Sequence, residues 1–242
     1  MNKPLRTIVA ATFLLGGTFV MVTLGTWQVQ RMAWKQNIIK ELDALYQIAS
    51  PQQYTHQDLI QASLNNQTLM YGQVTGKPLT GKQMLFGPKP QEGKIGYHVV
   101  TPIAINGDMG KIILVQRGFI ENEETQSLTG IEAPSDVSFT GIIRKPDWNK
   151  YTPNNSPENG IWSKLDIDEI ATYQALENVA PYILYTAQTY PRFDKVIPLD
   201  DKWYPRNKHK QYALFWFSMA GIFLCFFGFV AFQARRKKRA RS

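Results

Sequence analysis

Two uncharged stretches of 24 residues each, Thr7–Gln30 and Gln211–Ala234, bracket this chain of 242 residues. Their apolar hearts read IVAATFLLGGTFVMVTL (8–24) and YALFWFSMAGIFLCFFGFVAF (212–232). A helix rises about 1.5 Å per residue, so roughly 20 such residues cross a hydrocarbon core about 30 Å thick. The pattern predicts transmembrane helices over 7–27 and 212–232. A cleaved signal peptide fits the first stretch poorly. Its apolar run is long, and LGTWQVQRMAW follows it without an A-x-A-like site. A buried core helix fits the second poorly, because RRKKRAR closes it.

The net charge of +8 suggests nucleic acid until the charges are located. Lys3 and Arg6 precede the first stretch. Arg235, Arg236, Lys237, Lys238, Arg239 and Arg241 follow the second. These eight equal the whole excess, and all 19 acidic residues lie between Gln28 and Gln211. The middle is charge-balanced and presents no sustained basic face, so nucleic acid is not an expected partner. The positive-inside rule places both termini, including the basic tail 233–242, in the cytoplasm and residues 28–211 outside it. Arg206, Lys208 and Lys210 at the outer end of the second stretch run against that bias without reversing it. Six residues before Thr7 leave no room for a mitochondrial transit peptide, so the expected home is a bacterial plasma (inner) membrane, with the middle in the periplasm. The single cysteine, Cys225, lies inside the second stretch. Disulfides, C-x-x-C thiol exchange or copper handling, and C-x-x-C-H haem attachment are thereby excluded for the middle.

Helical character continues past Trp27 to Tyr46, with Trp27, Arg31 and Trp34 on one face at i, i+4 and i+7. Ser50-Pro51 breaks it. Strand-like runs follow at Thr68–Val74, Gln83–Phe86, Tyr97–Ile103, Lys111–Phe119, Val137–Arg144 and Pro181–Gln188. Turn signals such as Gly87-Pro88, Asn106-Gly107 and Pro134-Ser135 bound them. Asp166–Tyr173 reads as a short helix opened by a capping box, Asp166 with Glu169. Asp147–Gly160 is a loop by composition. No βαβ rhythm is visible. The predicted fold is a membrane protein in which two transmembrane α-helices flank an extracytoplasmic α+β domain dominated by antiparallel β-strands.

Catalytic chemistry is hard to find. Gly76–Lys82 fits G-x-x-x-x-G-K, but Gln83 stands where a P-loop needs Ser or Thr, and a strand-like run follows instead of a helix. There is no H-E-x-x-H, no G-x-S-x-G and no zinc spacing. His56, His98 and His209 stand far apart. Glu123-Glu124 and Asp200-Asp201 read as solvated loop charges. An enzyme has no constellation behind it here.

The specific residues flank the two stretches. Leu24-Gly25-Thr26-Trp27-Gln28-Val29-Gln30-Arg31-Met32-Ala33-Trp34-Lys35 follows the first, and Asn207-Lys208-His209-Lys210-Gln211-Tyr212-Ala213-Leu214-Phe215-Trp216-Phe217 opens the second. Between them stand Gly96–Pro102 (GYHVVTP) and Gln116-Arg117-Gly118. In these four motifs the chain resembles the Surfeit locus protein 1 family, which assists assembly of haem–copper terminal oxidases. Departures are Gln116, where Asn is common, and Lys208, where a second Asn is common. The resemblance implies a non-enzymatic assembly factor for cytochrome c oxidase that binds haem A and aids its insertion into subunit I. It implies subunit I, haem A synthase and the lipid bilayer as partners. Haem A is a flat apolar ring with an isoprenoid tail and two carboxylates. A site for it needs an axial donor, cations for the propionates and an apolar surface. The resemblance points to His209 as metal ligand, with Arg31 or Arg206 on the propionates and Trp27, Tyr212 and Trp216 at the same depth. His98 reads as a structural histidine, and Arg117 as a strand-end residue with a structural or partner-binding role. The alternative is a cofactor-free membrane scaffold that stabilises an oxidase assembly intermediate. On this reading, reporters fused to Ser242 and into the 147–160 loop give opposite signals, cytoplasmic and periplasmic respectively; a cytoplasmic loop signal overturns the orientation.

Overall fold

The structure is a computed structural model and describes residues 3–48, 50–79, 81–107, 110–123, 125, 136–148, 150–190, 196–197 and 204–239. The pairs Glu123-Glu124, Asp200-Asp201 and Pro134-Ser135 lie wholly or partly outside these residues, as do Thr80 and the last three residues of the basic tail. The chain divides into two compact units, Met1–Ala44 with Tyr204–Ser242, and Leu45–Trp203.

The first unit is a pair of helices, α1 (Lys3–Tyr46) and α4 (His209–Arg239). Both are long and apolar enough to cross a membrane. Helix outlasts the apolar stretch at both of its inner boundaries: α1 runs on to Tyr46, and α4 starts three residues before Tyr212. The helices are antiparallel. The Phe13 ring packs on Phe223 and Phe227, with centroids 5.8 and 6.3 Å apart. At Gly17 and Gly25 a Cβ would stand 2.9 Å from the Phe223 ring and 2.8 Å from that of Phe217, so these glycines admit the aromatic rings. Shielded positions recur at 14, 18, 21, 25, 28, 32, 35, 39 and 42 of α1, and at 209, 213, 216, 220, 223 and 227 of α4. Alternating steps of three and four residues form the seven-residue repeat of a coiled-coil seam. Away from the seam the side chains are large, apolar and exposed: Phe19 is 72% and Phe226 61% accessible.

Ahead of α4, residues 204–208 run back along α1. Tyr204 Oη donates to Asp43 Oδ1 at 2.5 Å. Lys35 Nζ donates to the Arg206 carbonyl at 2.9 Å. Asn207 Nδ2 donates to the Met32 carbonyl at 3.2 Å. Each bond lies further down α1 than the one before.

The second unit carries β1 (Gln52–Gln53), α2 (His56–Leu64), β2 (Leu69–Pro78), β3 (Met84–Gln91), β4 (Lys94–Ile105), β5 (Ile112–Glu121), β6 (Val137–Arg144), β7 (Ile161–Trp162), α3 (Ile167–Gln174) and β8 (Val179–Tyr190). Five strands close into a ring in the order β2-β6-β8-β5-β4 and back to β2, where Gly76 to Pro78 pair with Ile105 to Ile103. Inside it, alternate side chains such as Met70, Val74, Ile103, Ile113, Val115, Phe139, Ile143, Tyr182 and Leu184 form one core, joined by Leu59 and Ala62 of α2. A second core lies outside the ring. Ile112, Leu114 and Ile183 point the other way and meet Trp162, Leu165, Ile170 and Leu176 around α3. Burial of β5 and β8 on both faces explains their continuous apolar runs.

The predicted strands are all present. Four expectations change, the first at Gly87-Pro88, where β3 runs on through the expected turn to Gln91 with a shift of register. Among the described residues five ladders are antiparallel, but β1–β2, β3–β7 and β5–β8 are parallel. The partners in β3–β7 and β5–β8 are far apart in the chain, whereas β1 and β2 are consecutive and joined by α2, a short β-α-β unit where the sequence suggested none. Helix α2 is an addition: Thr55 caps it, taking Asp58 N on its Oγ1 at 3.2 Å, while Asp58 Oδ2 takes Thr55 N at 2.8 Å. At α3 the cap is half of what the sequence suggests. Asp166 accepts from Glu169 N at 3.3 Å, but the Glu169 carboxylate takes Asn155 Nδ2 at 2.9 Å instead of closing the box. Asn155 Oδ1 also accepts from Ser163 and Lys164 N, at 2.9 and 3.0 Å, tying the 147–160 loop to the start of α3. The Gly76–Lys82 segment is a strand end and a turn; Lys82 Nζ donates to the Gln174 carbonyl at the end of α3.

Opposite Val99 and Val100, β5 carries one extra residue, Arg117, between the paired Gln116 and Gly118. This bulge turns side chains that strict alternation would separate. Gly118 follows at φ +153°, and a Cβ there would lie 2.4 Å from the Ile197 carbonyl oxygen. Gly118→Ala therefore has to displace backbone. It is expected to destabilise the strand-rich unit by about 2–3 kcal/mol, read as a lower midpoint of denaturation for the full-length protein in detergent.

Candidate functional site

The antiparallel register of α1 and α4 sets a histidine against a glutamine. His209 is the first residue of α4, and Gln28 lies on the α1 seam between Gly25 and Met32. His209 Nδ1 is 2.6 Å from Gln28 Oε1. An amide oxygen only accepts, so Nδ1 carries the proton and donates. In the neutral form of such a ring the lone pair is on Nε2, and that atom makes no hydrogen bond among the described residues. The Trp27 ring stands edge-on to the imidazole, with centroids 6.4 Å apart. Asn207 Oδ1, two residues away, is buried without a hydrogen-bond partner among the described residues.

Other residues named from the sequence scatter around this pair. Arg31 does not enter the seam; its guanidinium lies 4.4 Å over the ring of Trp34. Trp27 and Trp34 are about half exposed, so the Trp27–Arg31–Trp34 face flanks the seam. Trp216 is half-buried on the seam two turns beyond His209, and its ring meets that of Phe215 at 5.3 Å. Tyr212 is turned away and 53% exposed. The Arg206 side chain is exposed, while its carbonyl holds Lys35. The sequence places Gln28, Asn207 and Lys35 in the motifs beside the helices but gives them no role in the site. A signal existed for Gln28 and Lys35, because both fall on the seven-residue repeat of α1. Among the described residues no three His, Cys, Asp or Glu gather as a metal-holding group. A metal held here by protein donors would rest on His209.

A second polar cluster lies in the strand-rich unit. Gln116 Nε2 donates to His98 Nδ1 at 2.7 Å, so this ring has the opposite tautomer, with its proton on Nε2. Arg117, brought inward at the bulge, donates to Gln83 Oε1 at 3.1 Å and Thr101 Oγ1 at 3.3 Å. Burial pulls its pKa down to about 10, which leaves it charged near neutrality. His98 sits between the Phe86 and Phe119 rings, with centroids 6.1 and 6.3 Å away. Burial, and then the charge of Lys89, push its pKa down to about 4. A proton on Nδ1 would also face the Gln116 N–H. This neutral histidine joins strands.

The SURF1 family matches residues 15–221, a range that contains both polar clusters. A SURF1-like protein of Rickettsia felis is 29% identical over 208 residues, covering 83% of this chain and 87% of its own length. Surfeit locus protein 1 of Mus musculus is 28% identical over 222 residues, covering 81% of this chain and 67% of its own. Cytochrome oxidase assembly protein SHY1 of Saccharomyces cerevisiae is 27% identical over 183 residues, covering 69% of this chain and 44% of its own.

Acid should weaken the strand-rich unit through His98. An unfolded histidine takes up a proton below about pH 6.5, whereas the folded ring resists until about 4. Stability is full above the unfolded value and falls as pH drops between the two, by roughly 3 kcal/mol at most. In His98→Gln that component is absent, so its unfolding free energy falls less steeply than the wild type's between pH 6.5 and 4.

Proposed function

The chain belongs to the SURF1 family, and on that premise we propose that it is a non-enzymatic assembly factor for a cytochrome oxidase. In this reading it binds haem A at the His209 end of the helix pair and aids its insertion into oxidase subunit I. The yeast relative, a cytochrome oxidase assembly protein by name, supports the assembly role. One observation carries the haem reading: an imidazole whose Nδ1 is engaged by Gln28 and whose Nε2 has no hydrogen-bond partner among the described residues. A nitrogen so left open could serve as donor to an iron.

The surrounding residues fit such a group. Haem A, when bound, would supply an iron centre that accepts a nitrogen donor. His209 would hold the metal through Nε2. Arg31 and Arg206 provide cations for the two carboxylates, with guanidinium geometry suited to pairing them. Trp27 and Trp216 offer flat apolar surface near the imidazole, and Tyr212 marks the same depth on the outer flank. The apolar sides of α1 and α4 would shelter the tail. Assembly asks these residues to bind, orient and release, with no bond made in the substrate. We further propose that both helices lie in a bacterial inner membrane, with both termini cytoplasmic and the strand-rich unit periplasmic. Subunit I and haem A synthase are the proposed partners.

The exposed aromatic flank of α4, with Phe226 61%, Phe229 62% and Phe232 58% accessible, favours a second reading. A helix so covered could hold an oxidase subunit in the bilayer without touching cofactor. Absorption spectra separate the two. Protein purified from cells that make haem A should show bound haem A, and His209→Ala should lose most of it. Equal haem in both removes His209 as ligand, and no haem in either selects the scaffold.

A further inference from the structure

We infer that Gln28 is the positioning residue of the His209 site: it fixes the ring as the Nδ1–H tautomer and so reserves Nε2 as the donor to a metal. The inference rests on the haem reading only for the identity of the bound group, because the tautomer is a property of the chain alone. Three observations carry it. The 2.6 Å contact joins Nδ1 to an oxygen that has no proton to give. Nε2 has no competing partner among the described residues. The Gln28 side chain is placed by the packing around it: Gly25, one turn earlier, receives the Phe217 ring, and Met32, one turn later, accepts from Asn207. A residue held on one side by a helix–helix contact and on the other by the strap presents its amide where α4 begins.

Gln28 thereby links two events. A one-residue slip of α1 against α4 would carry Gln28 about 100° around its helix and break the bond. Donation of Nδ1–H to a fixed acceptor also orients the ring and raises the basicity of the opposite nitrogen. A metal-ready histidine therefore exists only when the two helices are paired in register. The strand-rich unit supplies an internal contrast. The Gln116 amide nitrogen donates to His98 Nδ1 and fixes the reverse tautomer, which leaves no lone pair on that ring's Nε2.

The test uses the full-length, haem-free protein in lipid nanodiscs with 15N-labelled histidine, at alkaline pH where the rings are neutral. The chain has three histidines, so His209→Ala assigns the His209 signals by difference. Wild-type His209 should show a protonated Nδ1 and a bare Nε2. Gln28→Leu should shift the ring toward the Nε2–H form, with the His98 signals unmoved. Gln28→Glu, which keeps an acceptor, should retain the wild-type tautomer. Haem A titrated into the same samples should bind about 10- to 100-fold more weakly to Gln28→Leu than to wild type, with Gln28→Glu restoring most of the loss. A wild-type His209 with its proton on Nε2, or an unchanged tautomer in Gln28→Leu, overturns the inference even if one variant folds poorly. If His209→Ala abolishes haem A binding while Gln28→Leu binds like wild type, the role of Gln28 in binding fails and the haem reading stands. If His209→Ala binds haem A normally, the haem reading fails whatever the tautomer.

Discussion

The helix pair depends on one constraint: two apolar rods must be set against each other in a single register. A helix satisfies its own backbone polar groups, so nothing in the backbone chooses that register. Side chains choose it. Glycine at 17 and 25 opens space for the rings of Phe223 and Phe217. The strap of residues 204–208 is tied to α1 at three points: Tyr204 donates to Asp43, Asn207 donates to the Met32 carbonyl, and the Arg206 carbonyl accepts from Lys35. The contact between Gln28 and His209 follows from both. It sits where the apolar seam ends and the polar strap begins.

In the strand-rich unit, ring closure performs the corresponding task. Pairing of β2 with both β6 and β4 leaves no free edge between them, and the interior fills with alternate side chains of five strands. Because β5 is covered on both faces, a charged residue in it needs a special arrangement. The bulge at Arg117 and the positive φ of Gly118 provide one, and Gln83 and Thr101 receive the guanidinium. Each unit thus contains a glutamine–histidine pair. In one the amide oxygen faces Nδ1, and in the other the amide nitrogen does. The two rings are left with opposite chemistry.

Much was legible beforehand. Length and lack of charge mark the two long apolar helices. Alternation marks Val137–Arg144, whose predicted bounds coincide with those of β6. Asp166 marks the start of α3. Parallel pairing of β5 with β8 was not legible, because strand partners far apart in the chain leave no local trace. Helix α2 was missed although Thr55 and Asp58 have the spacing of a capping box, since its polar face resembles loop composition. Of the site, His209 and Trp27 were named in advance and stand together in space, while Arg31 stacks on Trp34 instead of entering the seam.

By itself, the sequence determined which segments are apolar rods, where the charge sits, which runs make strands, and that the chain carries the motifs of its family. These are local properties, set by the periodicity and composition of neighbouring residues. Tertiary structure alone decided which nitrogen of His98 and of His209 holds the proton, that Gln28 outranks Arg31 as neighbour of His209, and that Arg117 is buried. Such facts depend on residues separated by up to 181 positions meeting at hydrogen-bond distance. A bond of that kind has a direction, and only the packed arrangement supplies it.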